Sequence, residues 1–537
     1  MTSAPFAVGG WLPNLCCDCP QHHCERRRGE GMLTKVNTCA LTGLDGQIIE
    51  VEVDVAPGLP HFVVVGLPDA AVQESRERVR AAIRNSGFEF PMRRITVSLA
   101  PADIKKEGPS YDLPIAVGIL ASSGQVDIML GETVLIGELS LEGHLRHTDG
   151  ILPMVGVARD RGMRTAVVPQ TNADEASLVE EVEVLGARTL RELVDHIRGD
   201  APILTHTPTV ELSRIAPEEY AINMADIRGQ DQAKRALEIA AAGGHNLLMT
   251  GPPGSGKTLL ARAMASILPP LTPTEALETT KVYSIAGMLR DDTPLVSTRP
   301  FRSPHHTISH AGLVGGGRIP KPGEVSLSHR GVLFLDELPE FGHSVLEVLR
   351  QPIEDKVVTI SRANGSTTYP ASFMLVAAMN PCFCGNYGDP RKACTCSVQL
   401  LSRYQKRISG PLLDRMDIFI DVPRVEYDKL TGDATGEPSA RIRERVCQAR
   451  QVQQARFRES CVQANADMGP SDVWKYCRLD DEAEGLARAV MERMHFSARA
   501  FHRTLKLART IADLSGEDVI GMPQLAEAVQ YRQRGAE

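Results

Sequence analysis

Apolar and polar positions along this chain fall into three successive regimes. Period-two alternation marks Gln47–Val55, His61–Val65 and Ile95–Leu99 as strands. Between them, Asp69–Asn85 reads as a charged helix with one apolar stripe, and Asp112–Ser123 as a helix buried on one face. Thr133–Leu139 is apolar again, and the short strand Thr165–Val168 follows a helix at Met154–Arg161. Farther along, the runs Asn246–Thr250, Val332–Leu335, Phe373–Met379 and Ile418–Val422 are apolar at almost every position, as in strands buried on both faces of a parallel sheet. The last regime has helical period over Ser439–Ala464, Asp480–His495, Ser497–Leu514 and Met522–Arg532.

These regimes divide the chain into an α/β unit at 32–200, a Pro- and Thr-rich linker at 201–225, a second α/β unit at 226–425, a hinge at 426–440 and a helical domain at 441–537. The expected fold class is α/β and multidomain. Residues 1–31 show no periodicity. They carry Cys16, Cys17, Cys19, Cys24, His22, His23 and the basic run Arg26–Arg28. They are expected to form a disordered extension or residues from an upstream start codon; the alternative is a small zinc knuckle.

At 537 residues the chain is too long for one core. Its formal charge of -8 argues against a uniformly basic DNA-coating protein but not against a local basic channel. No apolar stretch of 18 residues predicts a membrane span. The first thirty residues lack a signal-peptide run, so the cytosol is the expected compartment.

Gly251-Pro-Pro-Gly-Ser-Gly-Lys257-Thr258 lies between an apolar strand and the helix that opens at Leu259. This order matches G-x-x-x-x-G-K-[ST], in which backbone N–H groups of Gly251, Pro252, Pro253, Gly254, Ser255, Gly256, Lys257, Thr258 and Leu259, proline excepted, line a phosphate cradle. Lys257 supplies a mobile charge for ATP phosphates, and the Thr258 hydroxyl can join a Mg²⁺ shell. The strand Val332–Leu335 ends in Asp336-Glu337: the first acid fits beside Mg²⁺, the second can polarise a water. Asn380 ends the strand Phe373–Met379, where a neutral amide can orient that water; the plainer reading of Asn380-Pro381 is a turn. Arg415 precedes the strand Ile418–Val422, and Arg499 and Arg503 lie one turn apart at the start of a helix. An arginine at a subunit edge can reach a neighbour's nucleotide, and either lid arginine could report nucleotide; each is otherwise a surface residue.

Several blocks in order resemble the ComM/YifB family of magnesium-chelatase-like AAA+ ATPases. They are Arg299–His306, Pro320–Ser326, Gly331–Glu340, Ala377–Cys382 and Ser497–Arg503. The resemblance covers Met32 to the C-terminus. It implies a P-loop AAA+ core with Gly251–Thr258 as Walker A, Asp336 and Glu337 as Walker B, Asn380 as sensor 1, Arg415 as arginine finger and Arg499 as sensor 2. It implies a hexameric, ATP-driven branch-migration helicase acting on DNA in recombination or natural transformation. The competing functions are the ATPase subunit of a metal-inserting chelatase and a nucleotide-switched regulator.

Lys106-Glu-Gly-Pro-Ser110 and Gly137–Gly143 resemble the Lon-protease fold (ribosomal S5 domain 2-like). Ser110 takes the place of the nucleophile in that family, but Leu152 stands where its lysine base would be, so no peptidase activity is expected. Arg93, Arg94, Lys105 and Lys106 are candidate phosphate contacts there. Val357–Ser366 reads as a hairpin with Asn364-Gly365 at its turn. In related ring helicases such a hairpin follows the DNA backbone, and Arg362 and Lys356 are its charges; the alternative is a plain surface hairpin. His305, His306 and His310 fall in a turn-like insert that is expected to face a pore or a neighbour rather than to hold metal. The arginines of Arg441–Arg458 are expected on a solvated helix face.

Cys382, Cys384, Cys394 and Cys396 bracket one turning loop, with C-x-C spacing at both ends. Four thiolates so placed can hold a structural Zn²⁺; the alternative is metal-free thiols buried against the neighbouring strand.

Overall fold

The computed structural model describes residues 33–106, 108–128, 130–208, 220, 222–289, 293–317, 320–362, 365–389, 391–425, 436–460, 462–494 and 496–532. The cysteine-rich tail 1–31, most of the hinge and Asn364 lie outside the described residues.

The first α/β unit is built on a seven-stranded mixed sheet. Its strands are β1 (Thr34–Thr42), β2 (Asp45–Ala56), β3 (His61–Val65), β4 (Arg94–Ala100), β5 (Thr133–Leu135), β6 (Thr165–Pro169) and β7 (Glu183–Ala187). They lie in the order β3-β4-β2-β1-β5-β6-β7, antiparallel at β1/β2 and β2/β4 and parallel elsewhere. Alternate residues of β2 (Ile49, Val51, Val53, Val55) are buried, which is the alternation the sequence carries. The helix Ala70–Asn85 opens on an Asp69 cap that accepts from the Val72 N–H at 2.8 Å.

The second unit is a five-stranded, wholly parallel sheet. It contains β8 (Leu247–Thr250), β9 (Phe301–Arg302), β10 (Val332–Leu335), β13 (Met374–Met379) and β14 (Ile418–Asp421), in the order β9-β10-β13-β8-β14. All four residues of β10 are buried. The strand is interior, second from the edge. Between it and β13 a separate hairpin, β11 (Val357–Arg362) and β12 (Gly365–Pro370), pairs Arg362 with Gly365. Gly365 therefore belongs to the ladder, so the second strand begins one residue earlier than an Asn364-Gly365 turn would place it. Arg362 is exposed near the hairpin end, whereas Lys356 lies at its base, ion-paired to Asp467 at 3.3 Å. Only Arg362 of the two remains as a charge at the far end of the hairpin.

The two units pack together. Helix Pro273–Ala286 puts Ala276 and Leu277 against Ile151, Met154 and Val155 of the first unit. Glu175 is buried at this junction and accepts from Ser284 Oγ at 2.5 Å, Leu152 N at 2.9 Å and Asn172 Nδ2 at 3.1 Å. Burial pushes its carboxyl above the ordinary range, partly opposed by those donors. Leu44, in the β1–β2 turn, packs on the cluster containing Val358, Ile360 and Tyr369 of the hairpin. Leu152 is fully buried and Ser110 is buried at the start of the helix Asp112–Ser122. Lys106 is also fully buried, its ammonium donating to the Pro101 carbonyl, so it offers no phosphate contact on the surface, unlike the exposed Arg93 and Arg94. Its partner carbonyl and the apolar surroundings hold it inside.

The C-terminal helices are Ser439–Arg456, Pro470–Tyr476, Asp481–Met494, Ala498–Ser515 and Met522–Gln530. The first ends eight residues before the expected Ala464. Phe457 is buried and Asn465 turns back to donate its N–H to Gln453 Oε1 at 3.0 Å. Its arginines form a solvated face only in part: Arg441 is exposed, as is Arg458 just beyond the helix, but three others are tied down. Arg445 pairs with Glu437 and Glu238 at 2.6 Å, Arg450 donates to the Ala241 carbonyl, and Arg456 grips Asp513 at 2.6 Å. Charge pairing across elements overrides local polarity here. No helix among the described residues is long and apolar enough to cross a membrane.

Asp417, just ahead of β14, ties this helical domain to the sheet. It is buried, receives Arg503 from the helix Ala498–Ser515, accepts the Asn246 N–H at 3.0 Å, and stands 3.6 Å from His245 Nδ1. Burial raises its carboxyl's pKa, but Arg503 and the donors outweigh this and hold it far below the ordinary carboxylate range. A depressed folded pKa stabilises the fold above the unfolded value of about 3.9 and loses that contribution as pH falls toward the folded value. We predict that Asp417→Asn lowers stability by about 3–5 kcal/mol at pH 7 by leaving buried cations unpaired. The penalty should shrink as urea melts are repeated from pH 4 downward; a difference of under about 1 kcal/mol at pH 7 contradicts the role given to Asp417.

Candidate nucleotide site

The parallel sheet delivers β8, β10 and β13 to one edge at their carboxyl ends. Asp336 follows β10, Asn380 follows β13 and the loop Gly251–Gly256 follows β8. The Gly251 N–H donates to the Met379 carbonyl at 3.2 Å, fixing the loop's start against the neighbouring strand end. Gly254 and Gly256 have φ of +77° and +92°, which L-residues with side chains rarely adopt. That backbone turns successive N–H groups inward ahead of the helix Lys257–Met264, whose N-terminus has no side-chain cap.

Lys257 is mostly buried. Its ammonium donates to the carbonyls of Gly251 at 2.7 Å and Pro252 at 3.0 Å and to Asn380 Oδ1 at 3.3 Å. Burial lowers its pKa, and the charges of Asp336 and Glu337 oppose the shift. Thr258 Oγ1 donates to Asp336 Oδ2 at 2.7 Å, and Asp336 Oδ1 accepts the Glu337 N–H at 2.9 Å. Ser255 Oγ is buried with no hydrogen-bond partner among the described residues. Uncapped N–H groups, an unpaired hydroxyl, one lysine and a hydroxyl–carboxylate pair make a donor set suited to polyphosphate and a hard divalent cation. Leu259 is 42 % exposed on the first helical turn, and Pro253 is exposed on the loop.

Glu337 occupies the left-handed region with φ 51° and ψ 47°. The turn swings its carboxylate out of the sheet, where it is more than half exposed and 3.5 Å from His306 Nδ1. His306 stacks near His305 at 4.1 Å and meets Phe341 edge-on at 6.4 Å. His306 thus faces an acid of the site, whereas His305 Nδ1 pairs with Thr307 Oγ1 at 2.9 Å. Among the described residues the only group of three or more His, Cys, Asp or Glu side chains close enough to share one metal ion is the four-cysteine one.

Sequence reasoning gave no role to His306 at this acid, nor to Gln230. Gln230, with φ +60°, opens the helix Asp231–Gly243; its Nε2 donates to Pro423 O at 2.6 Å and Ser255 O at 3.3 Å, strapping the phosphate loop to the end of β14. The Gly229-Gln230 pair ahead of a helix was the available signal, and it reads equally well as a simple cap.

The arginines lie elsewhere. Arg415 is 6 % exposed, pairs with Glu354 Oε2 at 2.7 Å and donates to Pro411 O at 2.6 Å. Arg499 pairs with the other oxygen of the same Glu354. Arg503 donates to Asp417 and to the Arg415 carbonyl. All three lie near the amino ends of the strands, where Asn246 Nδ2 donates to the Arg415 carbonyl at 3.1 Å; Arg499 and Arg503 line a cavity of about 680 Å³ together with Asn246, Arg330 and Lys506. The four-residue strand β8 separates that end from the chain's own phosphate loop by roughly 10 Å. The structure therefore brings Lys257, Thr258, Asp336, Glu337 and Asn380 together and leaves Arg415 and Arg499 at the opposite edge of the sheet.

Three family models match the chain: magnesium chelatase, subunit ChlI, over residues 223–430; subunit ChlI of Mg-chelatase over 51–172; and the ChlI C-terminal model over 436–532. The chain is 44% identical over 506 residues to Competence protein ComM of Haemophilus influenzae, covering 93% of this chain and 97% of that protein. It is 43% identical over 502 residues to the uncharacterized protein YifB of Escherichia coli, again 93% and 97%. Likeness to the magnesium-chelatase 67 kDa subunit of Chlorobaculum parvum is narrower, 32% over 166 residues, 30% of this chain and 23% of that one. With 43–44% identity over nearly the full length of both proteins and a phosphate loop in an α/β core, the chain belongs to the ComM/YifB family of magnesium-chelatase-like AAA+ ATPases.

Proposed function

We propose that this protein is an ATP-driven, ring-forming DNA motor that migrates branched DNA during recombination. The observation that carries the reading is the confluence of Lys257, Thr258, Asp336, Glu337 and Asn380 at one sheet edge. Phosphoryl transfer asks a protein chiefly for positioning and charge, and this set supplies both. The ammonium of Lys257 exchanges the Gly251 and Pro252 carbonyls for β/γ-phosphate oxygens of ATP. Glu337 takes a proton from the attacking water, and the Asn380 amide orients that water without repelling phosphate. Thr258 and Asp336 would hold Mg²⁺, which supplies charge neutralisation on the phosphates.

Arg415 and Arg499 both pair with Glu354 near the strand starts, away from the chain's own loop, and we assign them to a neighbour's site. Loss of their shared Glu354 contact on assembly would free both guanidinium groups. This supports a ring, of which a hexamer is the form the family resemblance suggests. DNA contact is assigned to the β11–β12 hairpin, where exposed Arg362 and the hydroxyls of Thr359 and Ser361 offer sequence-independent phosphate contacts. The name of the Haemophilus relative supports the competence context.

The chelatase family models favour a second reading, the ATPase subunit of a metal-inserting complex. The two readings separate on what stimulates turnover. Steady-state ATPase should rise with four-way or forked DNA and stay at its basal rate with protoporphyrin plus Mg²⁺; stimulation only by the porphyrin overturns the DNA reading. Glu337→Gln should bind nucleotide within a few-fold of wild type and lose turnover by about 10²–10⁴-fold. Lys257→Ala should lose binding itself. Near-normal hydrolysis by Glu337→Gln removes that acid from its role. His306→Ala should change kcat with nucleotide affinity held, because His306 touches Glu337 and neither Lys257 nor Thr258; an unchanged kcat makes the contact incidental. Mixed Arg415→Ala and Lys257→Ala subunits should recover part of the activity that each lacks alone, through composite sites. No recovery, in a mixture shown by mass to co-assemble, contradicts a role in trans.

A further inference from the structure

The loop that leaves β13 contains Pro381 and then Cys382, Cys384, Cys394 and Cys396 before the helix Val398–Gln405. Cys382 Sγ lies 3.3 Å from Cys384 Sγ and 3.7 Å from Cys394 Sγ, and Cys384 lies 3.5 Å from Cys394. All four sulfur atoms fall within 4.8 Å of one another. Tetrahedral Zn–S bonds of about 2.3 Å put sulfur atoms about 3.8 Å apart, so the spacing suits one ion. It is too long for disulfides, whose sulfur atoms are bonded at about 2.05 Å. Backbone N–H groups of Tyr387 and Cys396 point at Cys382 Sγ and Cys394 Sγ, at 3.3 and 3.5 Å, as donors that support thiolates. The thiols are not packed as small hydrophobes: only Cys382 is buried, the other three are half-buried, and Phe383 and Tyr387 are 43% and 47% exposed. A loop with so little apolar burial needs another staple.

This loop rests on the phosphate loop. Gly385 has φ +75°, and a Cβ there would stand 2.5 Å from Pro253 Cδ and 2.8 Å from Pro253 Cγ. Asn380, two residues before Cys382, holds Lys257. On the far side Asp389 pairs with Arg424 at 3.3 Å, just beyond β14. The cysteine loop therefore touches the phosphate loop directly at Pro253 and indirectly through Asn380.

We propose that Cys382, Cys384, Cys394 and Cys396 bind one Zn²⁺ that presses the loop's Gly385 turn onto Pro253, so that zinc occupancy sets the conformation of the phosphate loop and its affinity for nucleotide. The affinity half rests on the nucleotide reading above; the metal and the loop conformation do not.

The test uses untagged full-length protein. Elemental analysis should find one equivalent of zinc fewer in Cys384→Ser/Cys394→Ser than in wild type, a difference that discounts any metal on the N-terminal cysteines. Chelator-stripped wild type should show faster hydrogen exchange at 251–258, with exchange in strands β1–β4 unchanged, and roughly tenfold weaker binding of a fluorescent ATP analogue, reversed by added zinc. Gly385→Ala should keep its zinc and still show the faster exchange; this variant decides the matter if stripped protein unfolds. Equal zinc in wild type and double variant overturns the metal site. Unchanged exchange at 251–258 in both stripped protein and Gly385→Ala overturns the coupling. Zinc-loaded protein that shows the exchange change but binds no ATP analogue contradicts the nucleotide reading and leaves the metal and loop proposal supported.

Discussion

The parallel order of β8, β10 and β13 is the constraint on which the rest depends. Parallel strands must all end at the same edge, and a buried apolar strand cannot carry a charge until it ends. Asp336, Asn380 and the phosphate loop therefore emerge together although they are far apart in the chain. Thr258 to Asp336 at 2.7 Å and Lys257 to Asn380 at 3.3 Å are the local expression of that topology. The other edge is fixed by the same logic. Arg415, Asp417 and Asn246 sit where strands begin, and there the C-terminal helices dock.

Two edges of opposite character on one sheet suit the proposed ring. One edge presents a phosphate cradle and acids; the other presents Arg415, Arg499 and Arg503 beside a cavity, restrained by Glu354 and Asp417. In the proposed ring, head-to-tail stacking would set cradle against arginines in a heterologous contact that can close on itself. The first α/β unit is not a loose appendage. Its Glu175 node and the Leu44 contact fix it to the helix Pro273–Ala286 and to the hairpin cluster.

Much of this was legible in the sequence because the signals are local. A glycine-rich loop between strand and helix, and four apolar residues ending in Asp336-Glu337, each encode their own placement. The strands and helices of the first unit were readable for the same reason: alternation in β2 and an Asp69 cap are written within a few residues. Partnerships between distant segments were not. His306 reaches Glu337 from an insert without periodicity, and Gln230 reaches Ser255 by a left-handed turn. The arginines of Ser439–Arg456 look solvated until their carboxylate partners are brought in from other elements. Lys106 looks like a surface charge until the fold closes over it. The cysteine spacing suggested a metal, but nothing in it pointed to Pro253.

The most direct test of the central claim is electron cryomicroscopy of the protein with Mg²⁺, a slowly hydrolysed ATP analogue and four-way DNA. The account predicts a closed ring with nucleotide on Lys257 of one subunit facing Arg415 of the next, and with DNA phosphates along the β11–β12 hairpins. Separate chains, or an assembly in which Arg415 faces no neighbour's phosphate loop, would contradict it.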